Sequence, residues 1–280
     1  MPELPEVETI ARSLREGGRG GAALPGRIIS GMELGWERTL AEPRAEEFAL
    51  RVVGQQVQDV SRRAKFLILR LSQDSLLVHL RMSGDMRVEP GVDADGVPLP
   101  PGPYDRLLLY FEDGQRLAFS DARKFGRVWL VSDPELITGG MGPEPFDPAL
   151  TPEALYEMLH SRKRLIKPLL LDQAFLAGLG NIYTDEALHL ARLHPTRLSH
   201  TLSIEDTARL LDAIRAVLAE GIRRNGASID WVYRGGDFQN TFRVYQRTGS
   251  PCPTCGHPVE RMVIGQRGTH YCPVCQPREV

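Results

Sequence analysis

Hydrophobic residues recur at helical spacing at the start of the chain and in short strand-like runs after it. Val7, Ile10, Ala11 and Leu14 lie on one face of a helix, and Gly17-Gly18 supplies its stop. Runs rich in valine, isoleucine, leucine and aromatic residues follow, and they predict strands over residues 27–32, 55–60, 66–71, 76–82, 107–112, 116–119 and 127–131. This half is therefore predicted to be a β-sandwich or barrel with one N-terminal helix.

The pattern changes after residue 133. Glycine and proline become frequent up to residue 150, and the periodicity beyond is helical. Thr151 with Pro152 begins one helix, and Ser203 with Asp206 begins a long helix that ends at Asn225-Gly226. The sequence thus predicts an α+β multidomain protein with an N-terminal β-sandwich domain (1–133), an interdomain linker (134–150), a helical domain (151–239) and a C-terminal module (240–280).

A glycine-bearing turn, Gly178-Leu179-Gly180, leads directly into a new helix at Asn181. Backbone N–H groups at a helix N-terminus favour an anion such as a DNA phosphate. A tight connection between two helices uses glycines in the same way, so this segment by itself permits both interpretations.

All four cysteines of the chain lie in the C-terminal module. Cys252 and Cys255 form one Cys-x-x-Cys pair, Cys272 and Cys275 form a second pair, and sixteen residues lie between the two pairs. This spacing is typical of a four-cysteine zinc ribbon, in which four thiolates fill a closed structural site. Two disulfides are the alternative, but the chain has no other cysteine and no secretory segment at its start.

Composition and charge narrow the class of protein. The 280 residues are 42% hydrophobic and 25% charged, with a formal net charge of −2. Lys167 and Asp172 interrupt the most apolar stretch, and the N-terminus carries acids where a signal peptide has bases, so we expect no membrane span. Basic clusters are nevertheless spread over separate predicted elements and would form a phosphate track if the fold aligned them, at residues 62–65, 123–127, 162–167 and 243–278.

The first residues carry an unusual set of reactive groups. Removal of Met1 would make Pro2 a free secondary amine, and an α-amino group has a pKa of about 7.7–8.0, so part of it is neutral and nucleophilic near neutral pH. Such an amine can attack a sugar or carbonyl carbon and form an iminium that accepts electrons from a neighbouring C–H bond. Glu3, Glu6 and Glu8 stand beside it. Proline and glutamate also favour the first turn of any helix, which is the alternative interpretation.

With the motifs at its two ends and the glycine-bearing turn, the chain resembles the formamidopyrimidine-DNA glycosylase family of bacterial base-excision repair enzymes. The resemblance extends over nearly the whole chain, and its motifs in this sequence are Pro2-Glu3-Leu4-Pro5-Glu6, Arg62-Arg63-Ala64-Lys65, His79-Leu80-Arg81-Met82-Ser83-Gly84, Asp121-Ala122-Arg123-Lys124-Phe125-Gly126, Gly178-Leu179-Gly180-Asn181-Ile182-Tyr183 and Gln266-Arg267-Gly268-Thr269-His270-Tyr271-Cys272. It implies a helix-two-turn-helix domain and a zinc finger after an N-terminal catalytic domain.

The resemblance also implies catalytic roles. Pro2 resembles the nucleophile that attacks the sugar carbon bearing the damaged base, and Glu3 the acid that helps to open the deoxyribose. Glu6 would order the site as a second carboxylate. Lys65 is similar to the lysine implicated in β-elimination and phosphate contact, and Arg267 to the arginine implicated in δ-elimination.

DNA-binding residues follow from the same resemblance. Met82, Arg123 and Phe125 are similar to side chains that fill the gap left by an extruded base, with Arg123 hydrogen-bonded to the orphaned cytosine. Arg162 and Asn181 resemble residues that grip the DNA backbone. The chain departs from the family pattern twice: Tyr104 stands where a DNA-contacting histidine is expected, and residues 226–238 are shorter than the family's lesion-capping loop.

The leading hypothesis is a bifunctional glycosylase and AP lyase for oxidised purines. The resemblance implies one structural zinc, double-stranded DNA with oxidised bases or abasic sites as the partner, a monomer, and a cytoplasmic, nucleoid-associated location in a bacterium. One alternative is an endonuclease VIII-like enzyme for oxidised pyrimidines, although Leu4-Pro5 resembles the purine branch. The other is a non-catalytic zinc protein that binds DNA, which leaves Pro2 and Glu3 unexplained.

Overall fold

The structure is a computed structural model that describes residues 2–228 and 235–278. It divides into two compact units, Met1–Gly139 with Ala227–Gly236 and Gly140–Gly226 with Asp237–Val280. The helices and strands described in the first unit are α1 (Leu4–Glu16), β1 (Ile29–Leu34), β2 (Leu40–Glu42), α2 (Ala45–Val52), β3 (Val57–Arg63), β4 (Phe66–Leu71), β5 (Ser75–His79), β6 (Gly84–Pro90), β7 (Asp105–Phe111), β8 (Gln115–Asp121), β9 (Arg127–Val131) and α3 (Glu135–Thr138).

The strands of this unit form two sheets. One sheet has the order β1-β7-β8-β6, and the other has the order β2-β9-β5-β4-β3. All pairs are antiparallel except β2 with β9. The inner strands β4 and β5 are almost entirely buried, which explains why their sequences are continuous apolar runs rather than alternating ones. The predicted β-sandwich with an N-terminal helix is confirmed.

Helix α1 and the two sheets share one hydrophobic core. The four predicted residues of the helical face are buried and belong to this core, and Gly17 ends the helix with φ +84°. Burying a valine, isoleucine or leucine side chain of this face stabilises the fold by roughly 1.5–3 kcal/mol. The start of α1 therefore has a fixed position on the sheets.

Several local features of the first unit differ from the sequence-based expectation, because strands β2 and β6 and helices α2 and α3 were not predicted and one strand is shorter than expected. The predicted strand over residues 76–82 ends at His79, and residues 80–83 turn so that the Gly84 N–H donates to the Leu80 carbonyl at 2.9 Å. A Cβ at Gly84 would lie 2.5 Å from that carbonyl oxygen, so the turn requires glycine there. Helix α2 was not predicted, because only Phe48 and Val52 of its short sequence face the core.

The second unit is helical with a small hairpin. Its described elements are α4 (Pro152–His160), α5 (Ile166–Leu170), α6 (Asn181–Leu190), α7 (Ile204–Arg223), β10 (Glu260–Ile264) and β11 (Arg267–Tyr271). The predicted caps are confirmed, since Thr151 Oγ1 accepts the Ala154 N–H and Ser203 Oγ accepts the Asp206 N–H. No helix within residues 2–228 and 235–278 is long and apolar enough to cross a membrane.

The half-buried histidine at the end of β5 predicts a pH-dependent stability. Burial, with the positive charges of Arg81 and Lys65, lowers the pKa of His79 to about 3, and its Nδ1 accepts the Arg81 N–H at 3.0 Å. Between pH 6.5 and 3 the unfolded chain binds a proton at this residue that the folded chain does not bind, so stability falls as the pH falls. We expect the free-energy advantage of wild type over His79→Asn to shrink by about 2 kcal/mol from pH 7 to pH 5.

Urea unfolding of both proteins at the two pH values measures this difference. Parallel pH dependences of the two unfolding free energies would contradict the assignment.

Candidate functional site

A buried carboxylate holds the N-terminal segment. Pro2, Glu3 and Glu6 are all buried, although two of them are acids. Glu6 Oε2 accepts the Glu3 N–H at 2.8 Å, and Glu6 Oε1 accepts the Ala227 N–H at 2.7 Å. A charged acceptor makes both of these bonds stronger than neutral ones. Glu6 therefore fixes the backbone immediately after Pro2.

The hydrogen bond from Ala227 to Glu6 also anchors the base of the loop over residues 226–238. Ser228 Oγ donates to the Gly236 carbonyl at 2.8 Å and accepts the N–H groups of Gly235 and Gly236. The centre of the predicted short capping loop, residues 229–234, lies outside the described residues. The described base of the loop is thus closed by one serine and tied to α1 through Glu6.

Lys65 lies at the turn between β3 and β4. This two-residue turn places Ala64 at φ +53°, and the Lys65 side chain is buried. The lysine is close enough to His79 for its charge to lower the pKa of that histidine. All the catalytic residues predicted in the first unit are therefore buried, namely Pro2, Glu3, Glu6 and Lys65.

Asp121 brings the predicted gap-filling residues to one place. Its carboxylate is buried, accepts a short hydrogen bond from Ser83 Oγ, and accepts the N–H groups of Arg123 at 3.1 Å and Gly126 at 2.7 Å. A Cβ at Gly126 would lie 2.3 Å from the Phe119 ring, so the loop can close only with glycine. The turn that carries Met82 and the loop over residues 122–126 are therefore held against each other.

The side chains carried by these loops are available at the surface. Phe125 is 49% exposed, and the Arg123 guanidinium carbon lies 5.0 Å from the centre of its ring. Met82 is half-buried. Tyr104 is 54% exposed, and its carbonyl accepts the Asp121 N–H at 2.8 Å. The structure thus gathers the four residues of this unit predicted to contact DNA around Asp121.

In the second unit, Asn181 and Lys167 bind the carbonyl group next to Arg267. Asn181 begins α6 and donates from Nδ2 to the Gly268 carbonyl at 3.0 Å. Arg267 is exposed at the first position of β11, next to Gly268. Lys167 Nζ donates to the same carbonyl at 3.0 Å. The hairpin that presents Arg267 is therefore tied to the start of α6.

A buried ion pair stands behind this contact. Lys167 and Asp185 are both fully buried, with 2.6 Å between Nζ and Oδ1. Asp185 Oδ2 accepts the His270 N–H at 2.9 Å and lies 3.2 Å from His270 Nδ1. His270 is thus paired with a carboxylate. Removing one member of such a pair leaves an uncompensated charge in the interior, which is strongly destabilising.

Glu186 makes the next contact along α6. Its buried carboxylate accepts the backbone N–H groups of Arg243, Val244 and Tyr245 at 2.8–2.9 Å. Burial raises the pKa of Glu186, and the three N–H groups oppose this rise. The amino-acid pattern does not reveal the roles of Asp121, Lys167, Asp185 and Glu186, because buried charged residues look like ordinary surface charges until their partners are known.

The other features predicted to bind the DNA backbone, Arg162 and the turn at Gly178, lie in two different loops of the second unit. Arg162 is exposed in the loop after α4, and its carbonyl accepts Ser199 Oγ at 2.6 Å. Gly178 adopts φ +107°, but its N–H donates to Gln173 Oε1 at 2.9 Å and is occupied within the protein. The turn therefore acts at this position as a compact helix connection.

The four cysteines form a single cluster with the geometry of a metal site. Their sulfurs lie within 4.8 Å of one another, with 3.8 Å between Cys252 and Cys275 and 3.5 Å between Cys255 and Cys272. Four sulfurs bound to one zinc at about 2.3 Å lie about 3.8 Å apart, whereas a disulfide needs about 2.0 Å. All four are free thiols, so the residues fit one tetrahedral structural zinc.

The electrostatics of the cluster also favour a metal. Burial opposes ionisation of Cys252, but N–H groups of Thr254 and Cys255 direct positive charge at its sulfur, and its pKa falls to about 7. Burial raises the pKa of Cys272 and of Cys275, whose sulfurs lie close to the others. A divalent cation would offset the charge of four neighbouring thiolates.

Family models match most of the chain in three consecutive segments. They are the formamidopyrimidine-DNA glycosylase N-terminal domain over residues 1–128, the formamidopyrimidine-DNA glycosylase H2TH domain over residues 141–232, and the zinc finger found in FPG and IleRS over residues 249–278.

Individual proteins match over their full lengths. Formamidopyrimidine-DNA glycosylases of Chloroflexus aggregans and Protochlamydia amoebophila are 45% and 42% identical, with 99% of this chain and 98% and 100% of those proteins covered. A solved complex of Lactococcus lactis FPG mutant G226P with Fapy-dG-containing DNA has a TM-score of 0.88 at 35% identity. A complex of the Lactococcus lactis enzyme with DNA containing an abasic site has the same TM-score at 34% identity, and both comparisons cover 99% of this chain and 100% of the other. The chain therefore belongs to the formamidopyrimidine-DNA glycosylase family.

Proposed function

We propose that this chain is a bifunctional DNA glycosylase and AP lyase that removes 8-oxoguanine and formamidopyrimidines from double-stranded DNA. The observation that carries the proposal is the buried N-terminal segment, in which Glu6 holds the backbone of Glu3 beside Pro2. Simple helix initiation does not require an acid to be buried in this way. Solved relatives in complex with Fapy-dG-containing and abasic-site DNA support the substrate class.

The first chemical step breaks the bond between sugar and base. The damaged base must leave the helical stack, because the sugar carbon is inaccessible inside a duplex. The neutral Pro2 nitrogen then attacks that carbon, the glycosidic electron pair leaves with the base, and a proton from Glu3 assists opening of the deoxyribose. A positioned proton donor of this kind contributes about 10²–10⁴-fold to the rate.

The covalent intermediate then drives strand cleavage. The attached nitrogen loses its proton, and its electron pair expels O4′, which takes the proton from Glu3, so that the sugar ring opens and an iminium forms at C1′. The iminium acidifies the adjacent C2′ hydrogen; removal of that hydrogen breaks the C3′–O bond, and a second elimination breaks the C5′–O bond. Lys65 acts in the first elimination and Arg267 in the second. Water hydrolyses the final iminium and regenerates the Pro2 amine.

The remaining residues bind the duplex. Met82, Phe125 and Arg123 occupy the gap left by the base, and Arg123 hydrogen-bonds the orphaned cytosine. Tyr104, Arg162 and Asn181 contact the DNA around it. The 49% exposure of Phe125 beside the Arg123 guanidinium supports this role. We propose further that the protein acts as a monomer on nucleoid DNA in the bacterial cytoplasm.

The domain plan predicted from sequence stays part of this proposal. The catalytic domain would comprise residues 1–133, the linker 134–150, the helix-two-turn-helix domain 151–239 and the zinc finger 240–280. The zinc ion would supply no chemistry to the reaction, and its role would be to fold the small module that bears Arg267.

Borohydride should trap a covalent adduct between Pro2 and DNA that carries an abasic site, because reduction converts the iminium to a stable amine. A protein with an N-terminal tag should give no adduct and still bind the duplex, since its nitrogen is acylated. The same tag at the C-terminus is the matched control. Trapping that persists with a blocked N-terminus would move the nucleophile to another residue.

Purified protein should contain one zinc per chain, and Cys272→Ser should lose it. Because Cys272 directly follows β11, the hairpin that presents Arg267 should lose its order and DNA affinity should fall while the N-terminal unit stays folded. Metal analysis, DNA titration and circular dichroism measure these three effects. Thr254→Ser, an exposed change between two ligands, is the control, and mapped disulfides without zinc would contradict the assignment.

Excision of 8-oxoguanine should prefer cytosine over adenine as the opposite base, and Arg123→Ala should reduce that preference. A good hydrogen-bonded contact to one base discriminates by about 1–3 kcal/mol. Single-turnover cleavage of matched duplexes measures the ratio, and the exposed Arg38→Ala is the charge-matched control. A preformed abasic site should still be cut.

The same assay separates the leading function from the endonuclease VIII-like alternative. Faster excision of 5-hydroxyuracil and thymine glycol than of both purine lesions would promote that alternative.

A further inference from the structure

The imidazole of His189 contacts a zinc ligand from outside the zinc module. His189 lies in the last turn of α6, and its Nε2 is 3.3 Å from Cys252 Sγ. Both residues are buried. A zinc-bound thiolate has no proton and can only accept a hydrogen bond, so the imidazole must donate from Nε2.

The surroundings of Nδ1, the other ring nitrogen, indicate that the contact with Cys252 Sγ is the main polar interaction of the His189 side chain. With the proton on Nε2, a neutral ring has a bare Nδ1, and this atom is buried without a hydrogen-bond partner in the described parts of the chain. Leaving a buried acceptor unpaired is unfavourable. A phenylalanine would fill similar space without that cost, so the compensating interaction is the bond to sulfur.

His189 also belongs to a series of contacts that α6 makes with the C-terminal segment. Asn181 and Asp185 bind the β10–β11 hairpin, Glu186 binds the backbone of residues 243–245, and His189 reaches the first Cys-x-x-Cys turn. The helix that begins at the proposed phosphate-gripping Asn181 therefore ends at a metal ligand.

We propose that His189 is a positioning residue of the zinc site, which donates its Nε2 hydrogen to the Cys252 thiolate and so retains the metal. A hydrogen bond withdraws electron density from the sulfur, which makes the thiolate a poorer nucleophile towards electrophiles and protons. It also ties the metal-bearing turn to α6. Partners of metal ligands at this distance typically change metal affinity about 10–100-fold.

The test compares His189→Phe, which removes the donor, with His189→Gln, which retains an N–H. The full-length, zinc-loaded proteins are mixed with the chelator 4-(2-pyridylazo)resorcinol and, separately, with iodoacetamide. We expect zinc release and thiol alkylation about 10-fold faster in the phenylalanine variant, and largely restored rates in the glutamine variant. His257→Gln, an exposed histidine of the same module, is the matched control and should leave both rates unchanged.

Cobalt substitution provides a second measurement, the energy of an absorption band, which a change in packing alone would not alter. The sulfur-to-cobalt charge-transfer band should shift to lower energy in His189→Phe and stay near the wild-type position in His189→Gln. If the phenylalanine variant fails to fold, His189→Met offers an adaptable side chain without a donor. Wild-type release rates and an unshifted band in the variant without a donor would overturn the proposal, as would equal acceleration in the phenylalanine and glutamine variants.

Discussion

A buried carboxylate that accepts backbone N–H groups of another segment of the chain is the interaction on which the rest of this structure depends. Glu6, Asp121, Asp185 and Glu186 all make it, and each is almost fully buried. Loops cannot satisfy their own N–H groups as helices and sheets do, and an unpaired buried N–H is costly. A fixed carboxylate removes that cost and ties the loop to a rigid element.

Each of these four acids holds a segment to which a function is assigned here. Glu6 fixes the N-terminus and the base of the 226–238 loop, and Asp121 joins the turn bearing Met82 to the loop bearing Arg123. Asp185 and Glu186 place the C-terminal segment on α6. Reaction and base recognition need side chains held in place before the substrate arrives, which such anchors provide without a large core.

Helix α6 shows how much one short element can organise. Its ten residues include Asn181, Asp185, Glu186 and His189, which contact the hairpin, the entry to the zinc module and a metal ligand. Lys167 balances the charge of Asp185 from α5. The zinc module has only a small apolar cluster of its own, so metal and polar contacts must stabilise it.

Local chemistry made a large part of the protein predictable. The apolar face of α1, most strands of the sandwich, the caps at Thr151 and Ser203 and the zinc-binding cysteines follow from interactions within a few residues or from a repeated spacing. Such local interactions and spacings can be recognised from the amino-acid sequence alone. The strand predicted over 76–82 was too long because the turn at residues 80–83 depends on the absence of a Cβ at Gly84, which the apolar pattern does not report.

The sequence by itself therefore determined most of the elements, the metal site and the identity of the reactive groups. Only the tertiary structure decided which charges are buried and what they hold: Glu6 meets Ala227, Lys167 meets Asp185, and His189 meets Cys252 across long separations in the chain. A glutamate or histidine has the same chemistry at the surface and in the interior, and only the partners supplied by the fold decide whether it is solvated, neutralised or used as an anchor.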